Sequence, residues 1–233
     1  MKTISWGKSK LVLLGSVLFL SSFFFGGQAK AVAPIQWSGA GDGINFSHAD
    51  NWVGGVAPTA SDTALVTTTG AIVIDTDTEV AKLAITSSFT GSVTLASGVS
   101  VTTTNELLLQ GGSFIFGNTN TINVGGDFGV SSTVNMASGT LNLSGNFIAT
   151  TTFSASAGTV NFNGAGKSIS SPGSVNLTFP ALNINGNTTL LYSVTTTGNI
   201  TVASTKTFAL GAFNLITNSS INNSGTISHA QEE

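Results

Sequence analysis

Thr140-Leu141-Asn142-Leu143 alternates polar and apolar side chains. The same alternation recurs nineteen residues to either side, in Thr121-Ile122-Asn123-Val124 and Thr159-Val160-Asn161-Phe162. A period of two predicts strands with Leu141 and Leu143 turned into a core and Thr140 and Asn142 turned out. Each copy is followed by a glycine, at Gly126, Gly145 and Gly164. The rest of the period matches too: Val134 with Phe153, Met136 with Ala155, Gly139 with Gly158. "LNINGN" from Leu182 is a fourth copy, and "GNITV" from Gly198 reads as a fifth. Gly-Asn, Gly-Asp and Ser-Gly pairs between the copies read as turns. No stretch after Pro34 sustains a 3.6-residue period, so almost no helix is expected.

One short strand cannot bury its own face, but equivalent strands at a fixed period can stack and close each other's backbone hydrogen bonds. The fold expected is therefore all-β: a parallel β-solenoid, or β-helix, of about ten short coils over 67–233, roughly 48 Å long at ~4.8 Å per coil. Val, Leu and Phe stack inside, and the repeated Asn positions predict amide ladders. Propeller blades need about 40 residues per unit, and a leucine-rich repeat needs a leucine pattern that is absent. An antiparallel sandwich uses similar strands but gives no reason for a constant register.

The first residues differ. Lys2, Lys8 and Lys10 precede the apolar run "LVLLGSVLFLSSFFF", and Ala29-Lys30-Ala31 has the form of a cleavage site. Residues 1–31 read as a secretory signal peptide rather than a retained anchor, since the apolar run is short for a membrane span. Cleavage after Ala31 leaves three lysines, Lys82, Lys167 and Lys206, against ten acids, a net charge of −7. The chain has no Arg, no Cys and only 7% charged residues. Nucleic acid and anionic membrane surfaces are poor partners for such a chain. Stability must come from packing and hydrogen bonds without disulfides.

Residues 32–66 form the expected N-terminal, loop-rich cap. Here Trp37-x-Gly39, Asn51-Trp52, Gly54-Gly55, Pro58 and Asp62-x-Ala64 together resemble the start of passenger regions in bacterial autotransporter-like, β-strand-repeat surface proteins. "GTVNFNGAGKSISSPGSVNLTFPALNINGN" resembles repeats of the same group. That resemblance implies an exported β-helix displayed at the cell surface as an adhesin or stalk. No C-terminal barrel or wall-sorting signal is visible, so the chain is either a short secreted protein or part of a longer one.

Candidate chemistry is sparse. Trp37 and Trp52 could stack on sugars if exposed, or cap the solenoid end; capping is expected. Asp75, Asp77 and Glu79 alternate with Ile74, Thr76 and Thr78. Three acids in a row suit a calcium ion poorly and read as an acidic edge that discourages aggregation. Asp42, Asp50 and Asp62 read as turn-capping groups, and "GAGDGINF" is a single, incomplete echo of a calcium-binding nonapeptide. His48 and His229 are too far apart to share a site in a rod. No nucleophile motif is present. The threonine triplets at 67–69, 102–104, 150–152 and 195–197 share no coil period, so they need not form one array. No catalytic, cofactor-binding or metal-binding residue is assigned. The expected function is a secreted or cell-surface structural or adhesive module without catalytic activity, its partner a surface or matrix ligand such as a glycan. The alternatives are a polysaccharide lyase or hydrolase and a Thr-rich ice-binding solenoid.

Overall fold

The computed structural model describes residues 33–230 apart from 118 and 156. The expected leader, Met1–Ala31, lies outside the described residues, and Val32–Glu233 is one compact unit. That unit is a parallel β-solenoid of eight three-stranded coils. The first coil is Thr63–Val66, Ala71–Ile74 and Thr78–Val80; the eighth is Thr207–Gly211, Leu215–Thr217 and Ile221–Asn223. Ile35–Gln36 precedes the first coil and Thr226–His229 follows the last. Every strand ladder is parallel, which excludes the sandwich, and the one described helix is the 3-10 turn Ala49–Asn51.

The strands make three faces. A long sheet of ten strands runs from Ile35–Gln36 to Thr226–His229. A second sheet of eight runs from Thr78–Val80 to Ile221–Asn223. The third face is split into two four-stranded sheets, Ala71–Ile74 to Thr133–Met136 and Phe153–Ser154 to Leu215–Thr217.

The nineteen-residue register appears as read. Ile122, Leu141 and Val160 stack directly, and the column continues to Val101 on one side and to Leu182 and Ile200 on the other. All six are buried. "LNINGN" and "GNITV" thus belong to the same face as the first three copies. The period itself varies. Stacked partners lie 19 residues apart from Thr63 to Lys82, 24 from Leu83 to Leu107, 22 from Phe147 to Ile169 and 20 from Thr188 to Phe208. Extra residues enter at the corners, where they leave strand pairing intact. Coils longer than nineteen residues explain why eight coils form instead of ten. The rod is about 38 Å long at ~4.8 Å per coil.

The third face breaks between Thr133–Met136 and Phe153–Ser154. Val134, Met136, Phe153 and Ala155 are all buried, as their matched positions predict. These two strands nevertheless belong to different sheets. Phenylalanines fill the core beside the break. Phe147 meets Phe153 edge-on with ring centroids 5.0 Å apart, and Phe179 packs 5.1 Å from Phe147 and 5.2 Å from Phe153. Across the break itself Phe128 packs edge-on against Phe147, ring centroids 5.7 Å apart, and aromatic packing of this kind contributes beyond its area burial.

Candidate functional site

The cap is built on Asn51, a fully buried polar side chain. Its Oδ1 accepts the N–H groups of Gly41 and Gly43, at 3.0 and 2.8 Å. Its Nδ2 donates to Asp42 Oδ1 and to the carbonyl of Asn45, at 2.6 and 2.9 Å. In the sequence Asn51 stands out only as part of Asn51-Trp52; the buried, fourfold-bonded amide is what fixes the loop. Asp42 also accepts the backbone N–H groups of Ile44 and Asn45, both at 2.9 Å. The Ile44 N–H, the Asn51 amide and the Asn45 N–H, in that order, hold the Asp42 carboxyl well below the usual carboxylate range. Its lone pairs face N–H donors, so it is a turn cap and a poor cation ligand.

Trp37, Phe46 and Trp52 are buried across the first coil. Trp37 and Trp52 pack edge to face at 5.1 Å, and Phe46 and Trp52 at 4.7 Å. Trp52 Nε1 donates to the Phe46 carbonyl at 2.8 Å. Both tryptophans therefore act as a plug and present no open platform to a sugar. The cap backbone also closes two strand edges. Trp37 N–H bonds the Leu65 carbonyl, and Ile44 and Phe46 bracket Val73, each bond 2.8 Å long. The strand Thr63–Val66, at the end of the segment read as cap, is already the first strand of the solenoid.

The acids after Ile74 do not share one strand. Ala71–Ile74 ends before Asp75, and the next strand begins at Thr78. Asp75 accepts the N–H and hydroxyl of Ser47, at 3.0 and 2.6 Å, and so ties the cap to the first coil. Burial pushes its carboxyl up, but the Ser47 bonds outweigh this and leave it below the ordinary value. Asp77 accepts the N–H and hydroxyl of Ser100 in the second coil, at 2.8 and 3.0 Å, and the backbone bond is the larger cause of its lowered pKa. Asp62 is lowered by the Thr59 hydroxyl and then by the Thr59 N–H. Asp50 sits in the first turn of the 3-10 segment. Among the described residues, no three His, Cys, Asp or Glu side chains are placed to hold a metal ion.

The eight-stranded face carries the expected ladder. Asn123 donates to Thr102 at 3.2 Å, Asn142 to Asn123 at 2.8 Å, Asn161 to Asn142 at 2.7 Å and Asn183 to Asn161 at 2.8 Å. A second row starts where Asn185 donates to Asn163 at 2.9 Å. Beside the ladder runs an open groove of about 520 Å³ lined by Thr102, Thr104, Asn123, Gly125, Asn142 and Asn163. A second open groove of about 570 Å³ follows the break in the third face, lined by Gln110, Ser131, Ser132, Thr133, Thr151 and Ser154. No ionisable side chain lines either groove. Lys82 pairs with Glu106 at 2.6 Å on the long sheet, between the second and third coils. The threonine triplets fall on different faces and corners: 102–104 begins within a strand of the eight-stranded sheet, 195–197 begins in the third face, and 67–69 and 150–152 follow strands of the long sheet.

No protein-family model, curated protein or solved structure matches this chain.

Proposed function

We propose that this chain is an exported, cell-surface structural module of the β-helix type, adhesive and without a catalytic centre. The observation that carries the proposal is the use made of its polar surface. Much of it is bonded within the solenoid: the Asn ladder and the Asp127–Asn146–Ser168 chain on the long sheet join successive coils, Asp77 joins the first coil to the second, and Asp75 joins the cap to the first coil. A surface bonded to itself along its length makes a stiff rod, and rigidity suits a stalk or display element. Its neutral hydroxyl and amide grooves suit weak contact with neutral polymers such as glycans. The leader-like residues 1–31 and the resemblance of the cap segment supply export and display.

Expression of the full chain with its leader tests export: material recovered outside the cells is expected to begin at Val32. Retention of that material on immobilised matrix proteins and glycans tests adhesion. Turnover of a polysaccharide panel, abolished by changing one acid, would replace the proposal with the enzyme reading. Shaping of growing ice crystals would replace it with the ice-binding one.

A further inference from the structure

We propose that the break in the third face is a binding groove for a neutral sugar chain, gripped by open backbone edges and side-chain hydroxyls. This deepens the adhesive reading above and rests on it. The break lies between the fourth and fifth of eight coils, with complete three-stranded coils on both sides. The Ala137 N–H bonds the Phe116 carbonyl, so Thr133 and Asn135, which share its direction, face the third coil. Val134 alternates with them and turns its N–H and C=O toward the break. On the other side, the N–H groups of Phe153 and Ala155 bond the carbonyls of Asn176 and Thr178 in the sixth coil. Ser154, between them, turns its own N–H and C=O back toward the fourth coil. Two strand edges therefore meet across the groove with no ladder between them.

The groove's volume of about 570 Å³ falls within the ~300–1,000 Å³ range of small-ligand sites. Gly111 and Gly112 carry it back to the third coil, so it spans about 10 Å at ~4.8 Å per coil, the length of about two linked sugar rings. Its walls show which chemistry the edges accept. At one end of the break the Thr151 hydroxyl donates to the Ser132 carbonyl at 3.2 Å, and the Thr150 hydroxyl donates to the Ser131 hydroxyl at 2.7 Å. Side-chain hydroxyls thus bridge the fourth and fifth coils beside the missing ladder. Thr133, Thr152 and Ser154 continue the hydroxyl lining at exposed positions. A sugar hydroxyl both donates and accepts, as these do, and can serve an open N–H and an open C=O alike.

Other occupants fit poorly. No charged side chain lines the groove, so an ion finds no counter-charge there. A peptide strand would have to enter between the two edges, which needs coils about 9.6 Å apart, twice the ~4.8 Å strand spacing. The same two coils stay paired on both other faces, Phe128 with Phe147 and Leu141 with Val160, so they cannot part that far. No aromatic side chain lines the groove either. Recognition is therefore by hydrogen bonds rather than by ring stacking, and a single short chain is held weakly.

Amide NMR titration of Val32–Glu233, one compact unit that holds every described strand, with neutral xylo-, manno- and cello-oligosaccharides tests this. Saturable shifts are expected at the amides of Ser132, Val134 and Ser154 with at least one of these sugars. Thr133→Val and Ser154→Ala each remove one exposed hydroxyl from the groove. Each is expected to weaken that binding about threefold to tenfold, the net worth of one hydrogen bond. Thr189→Val, exposed on the long sheet away from the groove, is expected to leave it unchanged. Circular dichroism confirms that each variant keeps its strands. The absence of saturable shifts at these amides with millimolar sugar would overturn the proposal. So would shifts centred on Asn123 and Asn142 of the other groove, or tighter binding of an extended neutral peptide at the break. Retention on immobilised matrix without those shifts would overturn this site and leave adhesion standing. Sugar binding at the break by a rod that no matrix retains would uphold the site and overturn the adhesive reading instead.

Discussion

Leu141 and Asn142 are chain neighbours that face opposite ways. Leu141 is fully buried between Ile122 and Val160, so Leu141→Ala is expected to cost about 2–5 kcal/mol in chemical denaturation, the transfer loss plus a cavity that stacked coils cannot collapse. Asn142 belongs to the half-buried ladder. Threonine already serves the same row at Thr102, where it accepts from Asn123. Asn142→Thr is therefore expected to cost less than about 1 kcal/mol, near the net worth of one hydrogen bond. The acids of the cap and the first coil give a pH signature. Asp42, Asp62, Asp75 and Asp77 all have lowered pKa values in the folded chain. Their contribution is complete above the unfolded carboxylate value of about 3.9 and is lost as pH falls through the lower folded values. Melting temperature is expected to be flat with respect to these groups from about pH 7 to pH 5 and to drop below about pH 4. Once the leader and its Trp6 are absent, Trp37 and Trp52 are the remaining tryptophans. Their fluorescence is expected to shift red at a higher pH than the loss of strand circular dichroism; simultaneous loss would show that the cap is not the acid-sensitive part.

Among the elements, the break in the third face carries the sharpest expectation. Where Thr133–Met136 and Phe153–Ser154 lack a ladder, Phe128 packs on Phe147 across the break, and Phe153 packs on Phe147 in its own coil and on Phe179 in the next. Phe153→Ala is expected to cost about 3–5 kcal/mol, with amides of 133–136 exchanging faster than those of Thr140–Leu143 in deuterated water. The corner glycines work differently. A Cβ on Gly145 would lie 2.0 Å from the Gly126 carbonyl oxygen, so adjacent coils touch backbone to backbone there. Gly145→Ala is expected to cost about 1–3 kcal/mol by overpacking, read from its denaturation midpoint. That glycine column, the alternation and the Asn row were all legible in the chain, because equal coil lengths put them at one spacing. The break was not. Val134 and Phe153 obey the inward pattern, and pattern fixes which way a side chain points without fixing which backbone groups meet. Asn51 was missed for a related reason: a single buried amide in a loop has no period to betray it.

At the scale of the molecule, the cap sets what the N-terminal end of the solenoid exposes. The solenoid's length was overestimated because corner insertions lengthen several coils, which does not show in a hydrophobic pattern. The plug at the N-terminal end, by contrast, followed from where the aromatic residues lie. Deleting 32–62 removes the plug. It uncovers the edges of Thr63–Val66 and Ala71–Ile74 that the cap bonds now hold, and exposes Ala64, Val66, Ile72 and Ile74 of the first coil. The uncovered first coil then presents open strand edges beside apolar side chains, to which strands of further copies can add. The truncated chain is expected to form species whose sedimentation coefficient rises with concentration and whose aggregates bind amyloid-type dyes. Removing residues 228–233 instead, which leaves the cap in place, is expected to cause no such growth. Equal behaviour of the two truncations at matched concentration would show that the opening segment does not protect the first coil, and would move Trp37 and Trp52 from a role in closing the fold to some other one.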